Sequence, residues 1–155
     1  MTTPVDWGPP LWKLLHGVAE RLDRQTVPLL ITDERNAWIQ FLKSIDATLP
    51  CAKCSAHYKS WRTRNSPDRL GAGIRLASRK WLWDLHNEIN QEKGVESPPL
   101  DTMETLYGPL RTYELKDALD KCVESFQKGA ILRLVASPAI HDFKRRAQLI
   151  LRLTS

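Results

Sequence analysis

Leu11-Trp12-Lys13-Leu14-Leu15-His16-Gly17-Val18-Ala19-Glu20-Arg21-Leu22 decides the fold class. Leu11, Leu14, Leu15, Val18 and Leu22 recur every three or four residues, the spacing that lines one face of an α-helix. The same period continues down the chain. Thr32 is placed to cap a second helix with the stripe Trp38, Phe41, Leu42 and Ile45. Pro50 ends that helix and opens a short third one at Cys51. A polar link, Asn65 to Gly73, leads to a fourth helix over about Leu76 to Lys93, stopped by Gly94. The first helix itself is expected to start near Pro9, with Asp6 as its cap and the prolines tolerated in the first turn.

Beyond Gly94 the stretch SPPLDTMETLYGPL reads as a break with one short helix. Two further helical stripes follow. One carries Leu115, Ala118, Leu119, Cys122, Val123 and Phe126; the other carries Ile140, Phe143, Leu149 and Ile150, opened by Ser137-Pro138 as cap and first helical residue. No segment alternates in the manner of a strand. The expected fold is all-α, a helical bundle over residues 1–94 with a C-terminal helical extension over 95–155 packed on it.

Composition narrows the class. A chain of 155 residues with 42% hydrophobic and 26% charged side chains suits one globular domain rather than a disordered or collagenous chain. No apolar run approaches the roughly 20 residues that cross a bilayer. The opening MTTPVDWGPP has neither the basic nor the apolar region of a secretory signal, so the expectation is a cytoplasmic protein without a membrane partner. Between Lys53 and Lys80 stand eight basic residues against Asp68 alone. Such a band attracts anions, but on charge alone a solvated helix face is the better reading, and nucleic acid is not expected as a partner. Six tryptophans suit a core packed around something flat, although core filling uses them too.

Cys51-Ala52-Lys53-Cys54 carries the sharpest chemistry. Two cysteines three apart at a helix start can close a small disulfide ring. The free amides and dipole of the helix start, with Lys53 beside them, stabilise a thiolate there. Zinc competes, with Cys51, Cys54 and His57 as ligands and His86 as a fourth, although a second ligand knuckle is missing. A thioredoxin fold is excluded by the absence of a βαβ pattern. Covalent haem is excluded because Ser55 stands where the motif needs histidine. Redox chemistry ranks above zinc; a zinc-stabilised helical module binding nucleic acid is the alternative.

Trp81 to Asn90, WLWDLHNEIN, adds a second feature. Trp83, His86, Asn87 and Asn90 share one helical face. Asparagine is a weak helix former and a costly core residue unless bonded, so two of them beside a histidine suggest a polar ligand. Trp12 and His16 repeat the arrangement on the first helix.

Taken together, WGPPLWKLLHGVAERL, LPCAKCSAHYKSW and WLWDLHNEIN resemble the Erv/ALR-type FAD-dependent sulfhydryl oxidases. The resemblance covers roughly residues 7–94. It implies a four-helix bundle holding FAD noncovalently, with no need of a GxGxxG turn. It implies that Cys51 is the outer, interchange cysteine and Cys54 the cysteine next to the flavin. Trp12 and His16, then Trp83, His86, Asn87, Asn90 and Lys93, would contact FAD, with Arg75 and Lys80 as further phosphate contacts. His57, one turn past Cys54, would pack beneath the pair or serve as a satisfied structural residue. The implied activity is oxidation of thiol-containing proteins, with electrons passed through FAD to O₂ to give H₂O₂, in a homodimer built on the first two helices.

The chain also departs from the pattern. The second, structural cysteine pair common in the family is missing, since QEKGVESPPLDTMETLYG has no cysteine. No shuttle pair exists either. Packing by the C-terminal helices is the expected replacement for the absent brace, and the tail resembles the divergent additions of virus-type members. Cys122 is left over, and its apolar stripe favours a buried, inert thiol over an intersubunit disulfide.

Overall fold

In the computed structural model, which describes residues 2–155, α1 runs from Pro4 to Ala19. It starts earlier than Pro9 because Asp6, at the third helical position, reaches back to accept the Thr3 backbone N–H at 2.7 Å and the Thr3 hydroxyl at 3.1 Å. Pro9 and Pro10 therefore lie inside the helix. The carbonyls they leave without an N–H belong to Val5 and Asp6, both exposed, so water can serve them.

Helix α2, Pro28–Ser44, also begins before its expected cap: Pro28 takes the first position, and Thr32 sits inside with its hydroxyl donating to Pro28 O at 3.3 Å. Helix α3 spans Ala52–Arg64 and α4 Ile74–Lys93. Gly73 and Gly94 flank α4 in the left-handed region, both with φ of 69°, where a side chain would be strained. A 3₁₀ turn, Leu100–Thr102, feeds the short α5, Met103–Tyr107. Helix α6 is Thr112–Ile131 and α7 is Ser137–Leu153. Ala136, not Ser137, caps α7, and Pro138 is its second residue rather than its first.

There is no strand among the described residues, so the all-α expectation holds. The stripes are buried as read, except that Leu149 is only partly covered. One core draws side chains from Trp7 to Leu85 and from Leu115 to Leu151. α6 lies along α1, and α7 along α2 and α6. The α1–α6 approach is close because of Gly17: a Cβ there would come within 2.4 Å of Leu115. Glu20, buried just past the end of α1, binds Arg79 of α4 through both oxygens, at 2.6 and 2.8 Å. Trp38 on α2 donates its indole N–H to Ser78 of α4 at 2.8 Å. No helix among the described residues is long and apolar enough to cross a membrane.

Candidate active site

Pro50 and Cys51 control how α3 begins. Leu49 is extended, as a residue preceding proline prefers, and Cys51 follows in extended backbone as the cap of α3. Cys51 Sγ accepts the Cys54 backbone N–H at 3.2 Å and is joined to Cys54 in a disulfide with Cα atoms 5.2 Å apart. The helix is fixed to the turn Asp46–Thr48 by Ser55, which donates to Asp46 O at 2.6 Å, and by Arg62, which binds the Asp46 carboxylate at 2.8 and 3.3 Å.

The two sulfurs do not share an environment. Cys54 lines a cavity of about 280 Å³ between α1, α3 and α4, whereas Cys51, half-buried, is not among its walls. Trp7, Leu11 and Trp12 form the α1 side, Tyr58 the α3 side, and Leu85 and Ile89 the α4 side. The exposed Lys53 and Lys93 also border it. Trp7 Nε1 is buried here without a partner, an unusual state for a buried donor.

Trp12 belongs to this cavity and to an aromatic cluster behind it. Its ring stacks on His86 with centroids 3.9 Å apart and planes 5° apart. His16 lies 5.7 Å from His86 and stacks on Tyr107 of α5 at 4.6 Å. Burial, reinforced by the neighbouring His86, holds His16 down to a pKa of about 3, and its Nε2 has no partner. Burial first and Lys93 second lower His86 to about 4. Both rings are therefore neutral near pH 7, able to stack and to offer one donor and one acceptor each.

The remaining sequence candidates are arranged differently. Trp83 donates its indole N–H to Pro98 O at 2.8 Å, and Asn90 donates to Ser97 Oγ at 2.9 Å, so both fasten the segment after α4. Asn87 is half-buried on the same helix and, like these two, is not a cavity wall. Arg75 borders a separate depression with Glu20, Arg24 and Glu104, and Lys80 pairs with Asp84. Arg75 is about 27 Å along α4 from Lys93, at 1.5 Å per residue, so the two do not serve one compact group. His57 lines the cavity, and its Nε2 lies 2.6 Å from Glu88 Oε2 on α4. The zinc alternative needed Cys51, Cys54 and His57 together; the thiols are bonded to each other and His57 is engaged by Glu88. Among the described residues no group of three potential ligands gathers around a common point.

Trp7, Tyr58 and Tyr107 were not singled out by sequence reasoning as site residues. The first two carried a usable signal: Trp7 is one turn before Leu11, and Tyr58 is one turn after Cys54. Tyr107 carried none, because only the fold brings α5 to His16.

The helical bundle thus seats a disulfide at the start of α3 against an aromatic cavity. The chain belongs to the Erv1 / Alr family, whose model matches residues 9–107. It is 28% identical over 95 residues to "Putative FAD-linked sulfhydryl oxidase 347L" of Invertebrate iridescent virus 6, covering 59% of this chain and 82% of that protein. It is 26% identical over 106 residues to "Putative FAD-linked sulfhydryl oxidase 088R" of Frog virus 3 (isolate Goorha), covering 68% of each. No solved structure matches it significantly.

Proposed function

We propose that this protein is an FAD-linked thiol oxidase in which Cys51 and Cys54 form the redox pair. The observation that carries the reading is the asymmetry of the disulfide: Cys54 faces the cavity and Cys51 does not. The cavity suits a flat aromatic ring system. It is apolar and aromatic on facing helices, it holds the unpartnered Trp7 N–H, and Lys53 and Lys93 at its border match phosphate charge.

A substrate thiolate attacks Cys51 Sγ; the disulfide breaks, and Cys54 leaves as a thiolate. The second substrate thiolate then attacks the substrate sulfur of the mixed disulfide, releasing oxidised substrate and leaving the Cys51/Cys54 dithiol. Bound FAD would take the two electrons of that dithiol and deliver them to O₂, giving H₂O₂. The chain's own contribution is positional. The start of α3, through the Cys54 N–H, stabilises negative charge on Cys51 sulfur. Trp12, stacked on His86, keeps one wall planar, and His16 braces that stack from behind. Lys93 offers charge at the border, whereas Trp83 and Asn90 hold the segment after α4 rather than the cofactor.

In this reading residues 1–94 are the redox bundle and 95–155 the extension that replaces the missing structural cysteine pair. The homodimer implied by the family is retained, but α6 and α7 lie on the faces of α1 and α2 turned toward them, so a second copy must use the outer surfaces of those helices. The test is an absorption spectrum of the purified chain with oxygen uptake on adding a dithiol. A yellow protein that bleaches anaerobically with thiol and consumes O₂ is expected. A colourless protein, or one whose flavin ignores thiols, overturns the reading.

A further inference from the structure

One histidine of the cavity is arranged for more than packing. His57 stands three residues past Cys54 on α3, so the two side chains leave one face of the helix with Cβ atoms about 5–6 Å apart. Helical side chains lean toward the N-terminus, which turns the His57 ring back over the turn that carries Cys54. Both residues line the same cavity, and Cys51 does not. From α4, Glu88 reaches the ring: His57 Nε2 donates to its Oε2 at 2.6 Å.

That contact sorts the two ring nitrogens. A carboxylate accepts, so Nε2 carries the proton and Nδ1 of the neutral ring keeps its lone pair. Nδ1 has no hydrogen-bond partner among the described residues. A thiol, an imidazole beside it and a third group that orients the imidazole form the set that activates a sulfur nucleophile. The other charged groups at this end are placed differently. Lys53, Glu92 and Lys93 border the cavity, and Tyr58 donates its hydroxyl to Leu42 O. Arg64 stands 3.9 Å from Glu88, and Asp46, at the start of α3, is taken by Arg62. Helix α1 lines the cavity with no titratable side chain.

We propose that His57, oriented by Glu88, is the base that takes the proton of the Cys54 thiol once the disulfide has been reduced. The S–H bond of Cys54 breaks, an N–H bond forms at His57 Nδ1, and the electron pair stays on sulfur. No electron is transferred in this step and no co-reactant is consumed. The imidazolium that forms lies between the Glu88 carboxylate and the new thiolate, which balance its charge. Cys54 is thereby held as the anion, the reactive form of a thiol. His57, 24% exposed, can then pass the proton to water. The inference rests on the thiol-oxidase reading and adds to it the group that readies the cavity-facing sulfur.

The experiment titrates Cys54 by its rate of alkylation with iodoacetamide in the full-length flavoprotein carrying Cys51→Ser, followed by peptide mass. Cys122 is buried and protonated, so it does not compete. The parent is expected to show two coupled steps, the first well below the ordinary thiol value of about 8.5. His57→Asn should leave a single step, moved up by about one pH unit, which is a tenfold loss of thiolate below it. Glu88→Gln keeps the shape but removes the charge, and should move the first step up by less. A merely structural role would lower the melting temperature and leave the profile alone. If His57→Asn fails to fold, Glu88→Gln decides. A folded variant whose profile superimposes on the parent's overturns the assignment. Because alkylation needs no turnover, that result in a yellow, thiol-responsive protein removes the base and leaves the oxidase reading standing. A colourless or thiol-indifferent protein sinks the oxidase reading, and this inference with it.

Discussion

Helix α1 has two faces with opposite characters. Toward α6 it is filled: Gly17 admits Leu115, Trp7 meets Phe126 with ring centroids 6.2 Å apart, and Cys122 and Phe126 are wholly buried. Toward α3 and α4 it borders a cavity and leaves Trp7 Nε1 and His16 Nε2 buried without partners. Apolar side chains supply both sides, so hydrophobicity does not distinguish them. What differs is completion. The α6 face is closed by the chain's own side chains, while the other face keeps space and unused polar atoms. A helix packed on one side and incomplete on the other is a scaffold with a binding wall.

The comparison breaks most sharply at the cysteines. Cys54→Ser removes the sulfur that faces the cavity, so dithiol-driven oxygen uptake should fall to background while the yellow colour remains. Cys122→Ser, in the filled region, should leave turnover unchanged, because burial pushes that thiol up to about 12 and keeps it protonated. Normal turnover in the Cys54 variant would remove its assigned role. The next largest effect concerns the clamp between α1 and α4. Glu20→Ala strands Arg79 in a largely buried position, and such losses cost about 3–5 kcal/mol. The lower end is expected, since Glu104 stands 3.7 Å away and can take part of the charge. Urea unfolding should report about 3 kcal/mol; a change below 1 kcal/mol would make the clamp a surface pair in effect.

The sequence made the filled side readable and the cavity only partly so. Periodic leucines at 11, 14, 15, 18 and 22 record burial directly, whichever element covers them. The helices begin ahead of Pro9 and Thr32 because proline at a first position and a carboxylate reaching back from the third start a helix without a side-chain cap at the expected place. The CxxC pair and the Trp12–His16–His86 set were legible as chemistry at fixed helical spacing. Their relation to Tyr107, and the division of the two sulfurs between cavity and surface, depend on how α3, α4 and α5 meet, which no local spacing encodes.

Two smaller perturbations sharpen the contrast between the faces of α1. Gly17→Val pushes a Cβ and its two methyl groups toward Leu115, and overpacking of that kind costs about 1–3 kcal/mol. A shift in the urea midpoint with an unchanged slope is expected; no shift would show that α6 yields easily.

The last test is pH. His16 is held near 3 in the folded chain against about 6.5 when unfolded, so the unfolded chain binds the extra proton between those values. Stability from this residue is fully present above about 6.5 and is lost as pH falls toward 3, at up to about 1.4 kcal/mol per pH unit. His86 acts in the same direction down to about 4, and more weakly because it is less buried. His16→Phe removes the titrating group while keeping a flat ring against Tyr107. Its melting temperature should therefore fall less steeply than that of the wild type between pH 6.5 and 4.5. Parallel profiles would mean that His16 takes up its proton without unfolding, which requires that the polar space beside its Nε2 admit water, and the incomplete face of α1 would then be wetter than its apolar walls suggest.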